Sequence, residues 1–138
     1  MRPQVFSFIP LFCLSTCVLA GELAAPTSAK IIRVIVQASG AGKVACADKE
    51  LAGELSGLGV ATDPGAKVCW AGSDKDVTRL AGEHKLVICG NQDWLALGAS
   101  VALTAEGGRP AIYLHVKNLA GTGITLPDSI VKISKVVK

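Results

Sequence analysis

Three short apolar runs, each followed by a helical pattern, dominate the middle of the chain. Residues 43–47 (Lys-Val-Ala-Cys-Ala) form the first run. Asp48 then stands as a helix cap, Leu51, Leu55 and Leu58 recur at helical spacing, and Gly57 and Gly59 close the helix. Residues 67–71 (Lys-Val-Cys-Trp-Ala) form the second run. Ser73-x-x-Asp76 is a capping-box-like start, Val77, Leu80 and Ala81 face inward, and Gly82 ends that helix. Residues 85–89 (Lys-Leu-Val-Ile-Cys) form the third run. After Gly90, Asn91 caps one helical turn carrying Trp94, Leu95 and Leu97, closed by Gly98. Unbroken apolar runs alternating with short amphipathic helices predict parallel strands buried on both faces. Thr62-Asp-Pro-Gly-Ala66 is the clearest turn, between the first unit and the second.

Beyond Gly98 the period changes to two. Ala99, Val101 and Leu103 alternate with Ser100, Ala102 and Thr104; past the turn, Ile112, Leu114 and Val116 alternate with Ala111, Tyr113 and His115. This predicts an antiparallel hairpin with one apolar face on the core. Its turn is Glu106-Gly-Gly-Arg-Pro110, where Gly107 and Gly108 can take positive φ and Pro110 opens the returning strand. Pro127 at a first helical position, followed by Ile130, Ile133, Val136 and Val137, predicts a closing amphipathic helix, with Lys132, Lys135 and Lys138 favouring its C-terminal half. The expected fold is α/β: a small three-layer sheet of mainly parallel strands with a C-terminal antiparallel hairpin and a closing amphipathic helix.

The N-terminal part reads differently. Arg2 precedes an almost unbroken apolar run from Val5 to Ala20, and Val18-Leu-Ala20 before Gly21 fits a small-residue cleavage site. Residues 1–20 are therefore expected to be a signal peptide, the run being shorter than the ~20 residues a membrane span needs. The alternative is a lipid on Cys17, since Leu14-Ser-Thr-Cys17 loosely resembles a lipidation box. Residues 21–29, rich in Ala, Pro, Thr and Ser, are expected to be a flexible leader, and 30–138 a single domain. Residues 30–38 (Lys-Ile-Ile-Arg-Val-Ile-Val-Gln-Ala) favour a strand by propensity. Their spacing also suits a helix with Ile31, Val34, Ile35 and Ala38 on one face, so the residues alone leave both open.

Without Arg2, thirteen of the fourteen basic residues remain against eleven acidic ones. They are scattered, with no basic patch interleaved with aromatics, so nucleic acid is not an expected partner. An exported chain is in a compartment that permits disulfides. Cys46, Cys69 and Cys89 each lie in an apolar run, either as three small core residues or with one disulfide among them. With no Cys-x-x-Cys spacing and both histidines distant, neither a metal nor a cofactor is expected.

Catalytic signals are weak. There is no Gly-x-Ser-x-Gly elbow, and Ser39-Gly-Ala-Gly-Lys43 fails as a phosphate loop because Val44 stands where Ser or Thr is needed and a strand, not a helix, follows. His84 falls in the polar loop Gly82-Glu-His-Lys85, at the edge of the sheet away from the usual site. Ligands of open α/β sheets sit outside the C-terminal ends of the strands. Here those ends carry Asp48, then Ser73 and Asp74, then Asn91, and these are the candidate ligand-binding residues; the plainer reading is that Asp48, Ser73 and Asn91 are only helix caps. Tyr113 and His115, side by side on the outer face of the hairpin, are candidate partner contacts.

From about Lys43 onward the chain resembles the YfiR family of small periplasmic regulatory proteins. The likeness rests on Lys85-Leu-Val-Ile-Cys-Gly90, the arm Gly98-Ala-Ser-Val-Ala-Leu103, the turn Glu106-Gly-Gly-Arg-Pro110, the arm Ile112-Tyr-Leu-His-Val-Lys-Asn118, and the connector and helix beyond it. The Trp-Pro typical of the family after its first helix is lacking, and Leu97-Gly98-Ala99 stands where the family often has two glycines and a methionine. The resemblance implies that residues 30–38 are a helix. It further implies a non-enzymatic periplasmic protein that binds a protein partner, such as the periplasmic region of a membrane diguanylate cyclase in cyclic-di-GMP signalling. Membrane association would then come only through that partner or through a lipid on Cys17, and a homodimer stays open. The competing expectation is a periplasmic small-ligand binding protein using the strand ends.

Overall fold

A computed structural model describes residues 23–40 and 42–137. The expected signal peptide, its cleavage site and Cys17 lie outside the described residues. The chain forms a mixed α/β fold. Helix α1 (Ala25–Ser39) leads into the short strand β1 (Lys43–Val44), helix α2 (Lys49–Gly57) and strand β2 (Ala61–Thr62). Strand β3 (Val68–Ala71), helix α3 (Asp74–Gly82) and strand β4 (Leu86–Cys89) follow, then a 3-10 helix (Gln92–Leu97). The hairpin strands β5 (Val101–Glu106) and β6 (Arg109–His115) precede helices α4 (Val116–Ala120) and α5 (Asp128–Ile133) and a last strand, β7 (Lys135–Val137).

The main sheet has the order β3-β4-β5-β6-β7. Strands β3, β4 and β5 run parallel, β5 and β6 antiparallel, and β7 parallel to β6. Strands β1 and β2 pair in parallel beside it, and a bridge between Ala45 and Cys69 ties β1 to β3. The three apolar runs thus become β1, β3 and β4, as their patterning predicts. Successive residues of β4 are buried on opposite sides: Leu86 and Ile88 in one core, Val87 and Cys89 in the other. The first core lies under α1, α2 and α5 through Ile32, Ile35, Leu51, Leu55 and Ile130; the second lies under α3 and the 3-10 helix through Val77, Leu80 and Leu95. This is the expected three-layer arrangement.

Four local expectations change. First, residues 30–38 are helical, and the helix begins at Ala25 with a proline in its first turn, so residues 25–29 of the expected leader belong to it. Its buried face is Ser28, Ala29, Ile32, Ile35 and Val36, whereas Val34 is 49% exposed. β-branched residues still make a helix here because burial of that stripe against α2 and the sheet outweighs a propensity difference of a few tenths of a kcal/mol per residue. Second, β2 forms inside what reads as turn, its Thr62 pairing with Val44. Third, the hairpin is covered on both faces at its base, since Ala102 and Tyr113 lie in the second core. Fourth, the closing helix ends at Ile133. Residues 135–137 add a parallel strand beside residues 113–115 instead, because β6 offers an open edge to Val136 and Val137, whose branching favours a strand. The hairpin turn is as expected, with Gly107 and Gly108 at φ 59° and 78°.

Candidate functional site

Strands β1, β3 and β4 end on one edge of the sheet, and each end passes directly into a capped helix. The Asp48 carboxylate accepts from the Leu51 N–H at 3.1 Å, the Ser73 hydroxyl from the Asp76 N–H at 3.2 Å, and the Asn91 side-chain oxygen from the Asp93 N–H at 2.9 Å. The helices then diverge. After β1, α2 packs on the first core; after β3, α3 packs on the second. Neighbouring strands whose following helices leave on opposite faces define a topological switch point, and a crevice opens there for geometric reasons. In this chain it is a cavity of about 610 Å³.

The cavity brings together residues distant in sequence. Its walls include Leu23, Ala25 and Ser28 of the N-terminal helix region, Asp48, Glu50 and Leu51 of α2, and Trp70, Ala71 and Gly72 at the end of β3. Gly90 to Trp94 form another wall, and Leu103, Thr104 and Glu106 at the end of β5 complete it. Of the candidate ligand-binding residues, Asp48 and Asn91 line the cavity. Ser73 and Asp74 do not: α3 turns away on the other face, and the lining stops at Gly72. Sequence reasoning missed Trp70 and Trp94, which read as core residues, and Thr104 and Glu106, which read as hairpin. The available signal was that β5 runs parallel to β4, so its C-terminal end must meet the same edge. The far edge of the Trp70 indole lies over Gly90, where a Cβ would make ordinary contact with it at 3.5 Å.

The cavity is acidic. Asp48, Glu50, Asp93 and Glu106 line it, and among the described residues no lysine, arginine or histidine does. Glu106 is committed: the Tyr113 hydroxyl donates to one oxygen and Lys135 Nζ to the other at 2.7 Å. The Lys135 ammonium and the Tyr113 hydroxyl hold Glu106 below the usual carboxylate range, while the carboxylate raises both Tyr113 and Lys135 above their ordinary values. Thr104 is 9% exposed and its hydroxyl is buried without a hydrogen-bond partner among the described residues; Ser100, at the far end of the same region, has the other such hydroxyl. Among the described residues no group of three His, Cys, Asp or Glu side chains could hold a metal ion, so the carboxylates are spread around the cavity and not gathered.

The remaining candidate residues take internal roles. Tyr113 is 8% exposed, its ring covered by the Lys135 ammonium at 5.3 Å from the centroid. His115 caps α4, with Nδ1 accepting from the Asn118 N–H at 3.2 Å. Asn118 in turn donates to the Leu95 and Ala99 carbonyls at 2.8 and 2.9 Å, tying α4 to the segment before β5. Cys46, Cys69 and Cys89 are all free thiols. Cys46 packs on the first core while Cys69 and Cys89 lie in the second, offset by two positions on β3 and β4. Such diagonal neighbours stand about 7–8 Å apart, beyond the reach of a disulfide. Burial pushes all three thiols up, Cys89 to about 11.

No family model matches the chain, and no curated protein matches it. Solved structures do. A conserved domain protein from Vibrio cholerae O1 biovar El Tor superposes with a TM-score of 0.63 at 11% identity, over 83% of this chain and 60% of that one. An ABC domain from Streptococcus pneumoniae, described in complex with L-Trp, superposes with a TM-score of 0.60 at 10% identity, over 82% of this chain and 62% of that one. The chain is similar to these proteins in fold, and it spans about three fifths of their length.

Proposed function

We propose that the protein is a small-ligand binding protein that takes its ligand in the strand-end cleft and performs no chemistry on it. The observation that carries this reading is the cavity of about 610 Å³ at the topological switch point, with both tryptophans of the chain in its walls. Its volume falls in the range of roughly 300–1,000 Å³ usual for small-molecule sites, and its walls set two aromatic side chains beside polar and acidic groups. The similar fold of a domain described in complex with L-Trp supports the same reading. A thermal-shift screen against a metabolite library tests it. A ligand at a hundred times its Kd adds about 2.7 kcal/mol of stability, a shift of several degrees. The shift should vanish in Trp70→Ala. A library without a single Trp70-dependent shift contradicts the proposal.

A second reading follows the YfiR resemblance: a periplasmic protein that restrains a membrane signalling protein. It is supported by the outer edge of the sheet, where Ile133 is 69% and Val136 48% exposed beside the open side of β7. Recovery of a membrane partner in a pull-down, lost in Val136→Lys, would favour it.

A further inference from the structure

We propose that the ligand of the strand-end cleft is a small organic cation with an apolar or aromatic body, an amine rather than an anion or a metal ion; this rests on the cleft being a ligand site. Among the described residues, four carboxylates and no basic side chain line it. An anion would enter against Asp48, Glu50 and Asp93, none of which has an ion-pair partner among the described residues. Helix N-termini ordinarily favour anions, but here the protein has supplied its own. The first turn of α2 holds the Asp48 cap and Glu50, and the 3-10 helix opens with Asn91 and Asp93. Asp48 gives one oxygen to the Leu51 N–H, which leaves the other for a ligand. Glu106 already has its ammonium in Lys135 and acts as a wall, not as a counter-ion.

The carboxylates are too dispersed to chelate a metal ion. They suit a charge carried on a larger body, and the indoles of Trp70 and Trp94 suit both parts of such a molecule. An aromatic face attracts a cation and also covers apolar surface. Thr104 also lines the cleft, its hydroxyl oxygen covered by protein and without a hydrogen-bond partner among the described residues.

The test is calorimetric titration of the purified protein with three compounds of one shape and different charge: phenethylamine, 2-phenylethanol and 3-phenylpropanoate. Phenethylamine should bind at least tenfold more tightly than the alcohol, with no detectable heat from the carboxylate. Asp48→Asn and Asp93→Asn, which keep the size of the side chains and in the first case the cap, should each weaken the amine threefold or more and leave the alcohol unchanged. Equal or tighter binding of 3-phenylpropanoate overturns the proposal while leaving the cleft as a ligand site. Unchanged amine affinity in both variants overturns it as well. Silence of all three compounds overturns it, and the Trp70-dependent thermal screen then decides separately whether the ligand-site reading falls too.

Discussion

Replacing Gly98 with alanine tests how tightly the end of the 3-10 helix is locked against α3. Gly98 turns the chain from that helix toward β5 at φ 123°, a conformation that side-chain-bearing residues rarely adopt. A Cβ there would lie 2.5 Å from the Ala81 Cβ. Carbon atoms rest about 3.5–4.0 Å apart, so one element must move by roughly 1 Å. Backbone strain contributes about 1–3 kcal/mol and overpacking about 1–3 kcal/mol. The expected loss of about 2–6 kcal/mol is a large part of a total stability of about 5–15 kcal/mol. Urea unfolding followed by circular dichroism should show a lower midpoint with an unchanged slope. The double mutant with Ala81→Gly separates the two costs. Ala81→Gly alone should cost up to about 1 kcal/mol, yet in the Gly98→Ala background it should return the overpacking share, a coupling of about 1–3 kcal/mol. A loss below about 0.5 kcal/mol for Gly98→Ala, or no coupling, would refute the reasoning.

Other outcomes follow from the same structure. Asn118→Ala removes two hydrogen bonds to the Leu95 and Ala99 carbonyls and should cost about 1–3 kcal/mol in urea unfolding. Ser73→Ala removes only the cap of α3, which lies outside the cleft, and should cost about 1 kcal/mol with ligand affinity unchanged in calorimetry. Because Glu106 is held below the usual carboxylate range, its contribution to stability is fully present above the ordinary carboxylate pKa and is lost as pH falls through its own lower value. Tyr113 and Lys135 are raised, so their contribution is full below about pH 10 and is lost as pH rises through their folded values. Stability against pH in Glu106→Gln should flatten on both limbs. Among the described thiols Cys46 is partly buried whereas Cys69 and Cys89 are buried, so native protein at pH 8 should label with Ellman's reagent at Cys46 ahead of these two, and at Cys89 only on denaturation.

The layered core was legible because β3 and β4 read as uninterrupted apolar runs, and such runs have few other uses in a chain of this length. The caps Asp48, Ser73 and Asn91 were legible because a short polar side chain before an amphipathic stretch carries its own local geometry. Two kinds of feature were not. The phase of α1 depends on where α2 and the sheet stand, and Ile31, Val34 and Ile35 are locally as good a stripe as Ile32, Ile35 and Val36. Likewise β7 exists because β6 has an open edge, and Lys135-Val-Val137 also continues a helical pattern in isolation. The cleft combined both cases. Asp48 and Asn91 followed from the rule about strand ends, whereas Trp70 and Glu106 entered it through the register of neighbouring strands, which no local pattern carries. Asp74 was a plausible neighbour by sequence, but α3 leaves the edge on the wrong face.

The central claim is that the cleft between the ends of β1, β3, β4 and β5 is where the protein binds its ligand. Titration of isotopically labelled protein with phenethylamine, followed by amide and indole chemical shifts, tests it most directly. The account predicts saturable shifts at residues 48–51, 70–72, 90–94 and 103–106, and at both indole N–H signals, with the rest of the chain still. Shifts gathered instead at the opposite sheet edge around His84, Lys117 and Asn118, or along β7, would contradict it.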